Sequence, residues 1–149
     1  MSKLTKLDYK NYLATIKALP NSQLFRHIYV VGEKGNEFDA IDDGNLSCAL
    51  VVSSVLLLFG WIDRTHATVQ STISALAENG WRETKEPQAG DIIFWLAGET
   101  SSQHIGFYID SNSAISNVAA KRVPGEHKLK ISDGRMPTAF YTRNFEEAK

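Results

Sequence analysis

The sequence predicts an α+β fold, with helices first and an antiparallel sheet after them. Two observations carry this. Periodic or fully apolar helical patterns dominate the chain before Trp81, and beyond it short β-branched and aromatic runs alternate with turn residues. Leu4, Leu7, Leu13 and Ile16 recur near helical spacing with lysines between them, and Pro20 stops the pattern, so an amphipathic helix is expected over about 3–19. Residues 25–31 are β-branched and aromatic, 32–36 are turn chemistry, and 38–41 resume, which predicts a hairpin or extended arm. Residues 49–59 are apolar on nearly every face, as in a helix enclosed on all sides, and Gly60 ends them. Val69, Ile73 and Leu76 mark the next helix, with Thr65 or Thr68 as its N-cap and Gly80 past its end.

The strands follow. Pro87-Gln88-Ala89-Gly90 is a tight turn into a buried strand over 91–96, with the Asp91 side chain expected to bond local backbone. A polar loop over 98–103 leads to a strand over 104–109. Asp110-Ser111-Asn112-Ser113 is a hairpin turn into 114–118, and weaker strand patterns lie at 128–131 and 138–142. Trp61, Trp81 and Trp95 are assigned to the core, with Trp95 near enough to a strand end to line a groove.

A chain of 149 residues with 43% hydrophobic content suits one domain over 1–149, here an N-terminal helix followed by a core over about 22–145. Sixteen basic and seventeen acidic residues without a block of like charge argue against nucleic acid as a partner. The longest apolar run falls short of the roughly 20 residues that a membrane helix needs. Asp8, Lys10 and Asn11 interrupt any apolar signal-peptide core, so a cytoplasmic location or export by a route other than Sec is expected. His27, His66, His104 and His127 show no metal-ligand spacing, and neither a metal nor a cofactor is expected. His66 reads as a capping or surface residue, and His127 beside Glu126 as a solvated pair. Gly32 and Gly35 do not make a phosphate loop.

The chemistry centres on Cys48, the one cysteine, which stands where the turn residues 42–47 give way to the apolar helix. A helix N-terminus carries unpaired N–H groups and partial positive charge. A thiol placed there is expected to ionise well below its usual pKa of about 8.5, and the same N–H groups can hold an oxyanion. Packed in the core, the same residue would be a small inert hydrophobe. His104, at the head of a later strand, supplies the base that a hydrolytic cysteine needs, and cysteine before a helix followed by histidine on a strand is the papain-like order.

Three stretches within residues 44–117 resemble the NlpC-type papain-like cysteine peptidases and the related CHAP amidases. They are the cysteine opening a hydrophobic helix, the Pro87-Gln88-Ala89-Gly90-Asp91-Ile92-Ile93-Phe94 strand entry, and His104-Ile105-Gly106-Phe107-Tyr108-Ile109. The chain departs from the family at Ser47 and at Ala49-Leu50, where many members have Asp before and Ser-Gly after the cysteine, so it resembles a divergent branch. The resemblance implies a papain-like NlpC/CHAP fold with Cys48 as nucleophile and His104 as base, acting on a peptide or peptidoglycan-fragment amide of the bacterial cell wall. It also implies a third residue on the strand after the histidine strand, where Ser116 and Asn117 stand. Adjacent strand residues point to opposite faces, so only one of them can orient the imidazole. Asn117 is favoured for its amide oxygen, and Ser116 takes its place if the register moves by one residue. The expected oxyanion donors are the Cys48 N–H and a second group near residues 44–47. Two other readings stay open: a non-catalytic peptide-binding module on the same fold, and a papain-like acyltransferase or deamidase.

Overall fold

Enclosure explains the composition of the central helix, α2 (Cys48–Leu58): Ala49, Val51, Val52, Val55 and Leu56 are all buried, on more than one face. Removing the valine and leucine side chains among them from water stabilises the fold by about 1.5–3 kcal/mol each. The computed structural model describes residues 2–146. Among these, α1 (Asp8–Lys17) and α3 (Val69–Glu78) pack with α2, and Thr68 caps α3 by accepting the Ser71 N–H.

Two antiparallel sheets accompany the helices, so the α+β class holds among the described residues. β1 (Tyr29–Val31) and β2 (Glu37–Asp39) form a two-stranded hairpin. The main sheet contains β3 (Arg82–Thr84), β4 (Ile92–Trp95), β5 (His104–Asp110), β6 (Ser113–Val118), β7 (Val123–His127) and β8 (Ala139–Thr142), in the order β3-β8-β4-β5-β6-β7. α2 lies on β5 and β6. Ile92, Ile105, Phe107 and Ile115 face the helices, whereas Ile93, Trp95 and Ala114 face the other way and are covered by Leu129, Ile131 and Phe140.

Two expectations are corrected, and one strand was missed. The first helix begins only at Asp8, and Leu4 and Leu7 stay exposed. Its buried anchors are Tyr12 and Ile16, with the Tyr12 ring among Phe59, Trp61, Phe107 and Phe145 and its hydroxyl donating to the Gly90 carbonyl at 2.7 Å. Residues 128–131 form no strand, because their apolar side chains cap the second face of the sheet rather than extend it. The strand lies just before them, at β7. It contains Pro124 and Gly125, which an edge strand tolerates because one row of its backbone groups needs no partner. The short β3 was not apparent as a strand.

The turn before β4 forms as its residues suggest. Gly90 takes a φ of +93°, the Gln88 N–H donates to Asp91 Oδ2 at 2.8 Å, and a side chain at Gly90 would meet the Tyr12 ring at 2.7 Å.

Candidate active site

The segment leading to the cysteine is held before the helix starts. The Asp39 carboxylate accepts the backbone N–H groups of Ile28, Ile41 and Asp43, and it pairs with His27 at 2.6 Å. Burial alone would raise its pKa, but these hydrogen bonds outweigh it and hold the group ionised far below the usual carboxylate range. Arg26 clasps Asp43, and Arg122 donates to the Asp42 carbonyl at 2.6 Å. Ser47 turns its hydroxyl to the Phe25 carbonyl instead of capping α2. The first-turn N–H groups of α2 are thus left without a side-chain cap, and the thiol of Cys48 sits among them.

The same thiol lies against the Ile105 backbone N–H, one residue past His104. It is not the ready thiolate that the helix terminus suggests. Loss of solvent is the largest influence on it and pushes its pKa up. The N–H groups of Ile105, Ala49 and Cys48 and the charge of Arg135 pull the other way without prevailing. His104 is neutral for the same dominant reason: burial, then the nearby His127 and Arg135, lowers its pKa to about 4. Thiol and imidazole therefore rest uncharged near neutrality.

The pairing of β5 with β6 decides which side chain meets the imidazole. The hairpin closes with Asp110 opposite Ser113, but Ile109 is bulged out, and beyond it Tyr108 pairs with Ala114 and Gly106 with Ser116. Without that extra residue, Gly106 would stand opposite Asn117. The bulge instead puts Ser116 on the face of His104, and Nε2 of His104 lies 2.8 Å from Ser116 Oγ. Asn117, expected to orient the base, points to the helix face, where its amide donates to the Gly44 carbonyl at 2.8 Å. It braces the turn before Cys48. The turn is also poorer in oxyanion donors than expected, since the Asn45 and Leu46 N–H groups already bond the Asp42 and Ile41 carbonyls.

His127, read from sequence as a solvated partner of Glu126, belongs to the site. Its Nε2 lies 2.6 Å from Ser116 Oγ and its Nδ1 lies 2.8 Å from the Lys128 carbonyl. Trp95 is fully buried beside both imidazoles, at 5.2 Å from the His104 ring and 6.1 Å from the His127 ring between centroids. The sequence did carry a signal for this. His104-Ile105-Gly106 and Gly125-Glu126-His127 are mirror patterns on the two strands that flank Ser116.

Cys48, His104, Ser116, Asn117, His127 and Arg135 all line one cavity of about 1010 Å³. Arg135 is held in this lining, donating to the Leu96 and Ser102 carbonyls at 2.5 and 2.7 Å and to Asp133 at 2.9 Å. A smaller concavity of about 700 Å³, bordered by Tyr9, Arg82, Gln88 and Arg143, shares none of these residues. Among the described residues, no group of three or more histidine, cysteine or acidic side chains is placed to hold a metal ion, and no helix is long and apolar enough to cross a membrane. Neither a protein-family model nor a curated protein matches the chain.

Proposed function

We propose that the chain is a papain-like cysteine peptidase or amidase, similar to NlpC and CHAP enzymes, that hydrolyses a peptide amide such as those of bacterial peptidoglycan. The observation that supports this most is the sharing of one cavity by the Cys48 thiol, at the first turn of α2, and His104, at the head of β5, with the thiol against the next backbone N–H. A neutral pair of this kind works by general base catalysis. As the sulfur attacks the amide carbonyl, the thiol proton passes to His104, the C–S bond forms, and the carbonyl oxygen becomes an oxyanion near the first-turn N–H groups. The imidazolium then returns the proton to the departing amine as the C–N bond breaks. Water, deprotonated by His104, cleaves the thioester and restores the thiol.

The raised thiol pKa favours a second reading, a peptide-binding module in which Cys48 is inert. One experiment separates the two. The protein is incubated with purified peptidoglycan fragments and a panel of peptide amides, and the products are read by mass spectrometry for new amine and carboxylate ends. Loss of cleavage in both Cys48→Ala and His104→Ala supports the hydrolase. Binding without cleavage, or cleavage that survives Cys48→Ala, overturns it.

A further inference from the structure

The hydrogen bonds around Ser116 fix more than proximity. His127 Nδ1 faces the Lys128 carbonyl, and a carbonyl can only accept, so in neutral His127 the proton sits on Nδ1. Nε2 of His127 then has only a lone pair, and the Ser116 hydroxyl must donate to it. A hydroxyl has one hydrogen, so toward His104 the same oxygen can only accept, and Nε2 of His104 must carry that ring's proton. The lone pair of His104 is left on Nδ1. We propose that His127, acting through Ser116, is a positioning residue that sets the tautomer of His104 and makes Nδ1 the basic atom. This rests on reading His104 as the base of the proposed hydrolase.

The sheet is built to allow the arrangement. Ser116 has a glycine opposite it on each side, Gly106 on β5 and Gly125 on β7. His104 and His127 lie two residues from these glycines, on the face that Ser116 shares, and lean over the bare backbone to reach its hydroxyl. A Cβ at Gly106 would stand 2.6 Å from the Ser116 Cβ and 3.4 Å from the Trp95 ring. The burial that disfavours a charged His104 makes the direction of its remaining hydrogen bond more consequential, because in a low-dielectric site a donor facing a donor is costly.

The test is nitrogen NMR of the full chain labelled at histidine, in buffer where the rings are neutral, since the two tautomers give distinct imidazole nitrogen shifts. The expected spectrum has His104 protonated on Nε2 and His127 on Nδ1. His127→Phe removes the acceptor, frees the serine hydroxyl to donate to His104, and is expected to turn its single tautomer into a mixture. Ser116→Ala is expected to do the same while His127 keeps its Nδ1 proton against Lys128. In both variants kcat is expected to fall roughly ten- to a hundredfold with KM little changed, the usual cost of losing the partner that orients a histidine. A wild-type His104 protonated on Nδ1, or a His104 tautomer unmoved by His127→Phe, overturns the proposal. The imidazole readout needs no substrate, so the relay can fail while Cys48-dependent cleavage stands. Failure of cleavage in the wild type, with the tautomers as expected, overturns the hydrolase and with it the positioning role.

Discussion

Two buried groups set stability against pH in opposite directions, and the structure says by how much. His104 titrates at about 4 in the fold against 6.5 for a free imidazole, so its contribution is complete above 6.5 and is lost as pH falls toward 4. Asp91, fully buried with Oδ1 unpartnered, is raised chiefly by burial from 3.8 to about 6. Its ionisation costs the fold stability above 6, and that cost disappears as pH falls toward 3.8. At about 1.4 kcal/mol per tenfold change in proton affinity, each effect approaches about 3 kcal/mol, somewhat less for His104, whose ring meets solvent in the cavity. They nearly cancel. Asp39, Asp43, Asp110 and Asp133 are held below the usual carboxylate range and act at still lower pH. Urea unfolding followed by tryptophan fluorescence between pH 4 and 6.5 should therefore show a nearly flat wild type. Asp91→Asn should lose about 2–3 kcal/mol toward acid, and His104→Gln should gain a similar amount. Variants whose curves stay parallel to wild type across the window would refute the reasoning.

Other consequences are simpler to check. Cys48→Ala should abolish turnover while costing about 1 kcal/mol, the scale for deleting one methyl-sized group, as read from thermal unfolding beside activity. Gly106→Ala should destabilise by about 1–3 kcal/mol and slow turnover, because the new methyl group displaces Ser116; denaturant melts and kcat measure the two effects. Asn117→Ala should cost about 1–3 kcal/mol by leaving the buried Gly44 carbonyl unpaired, and it should leave the tautomer of His104 unchanged in the same nitrogen spectra. Thr68→Ala removes the cap of α3 and should lower stability by about 1 kcal/mol in a urea melt.

The helix opened by Cys48 and the strand opened by His104 were legible because each pattern is long and its ends carry turn residues. Register was not. The choice between Asn117 and Ser116 hung on whether one residue bulges, and nothing in the composition of Asp110-Ser111-Asn112-Ser113 announces that Ile109 will. β7 was hidden for a different reason: Pro124 and Gly125 are poor strand formers, while Leu129 and Ile131 just beyond alternate like a strand but serve as a lid on Trp95 and Ala114. His127 fell in that misread stretch and was assigned to solvent. The ionisation of Cys48 was misjudged because the helix terminus can be read from the chain, whereas the desolvation that outweighs it depends on what packs above.

A sulfur that is protonated, half-buried and in one cavity with an uncharged imidazole has a chemical consequence outside catalysis. Peroxides and disulfides attack thiolates, and their selectivity follows thiolate character and exposure. Cys48 is half-buried and has little thiolate character near neutrality, so the resting protein should react with oxidants more slowly than an exposed, ionised cysteine that is converted to its sulfenic or sulfinic acid. Its nucleophile is guarded by the same burial that withholds its charge.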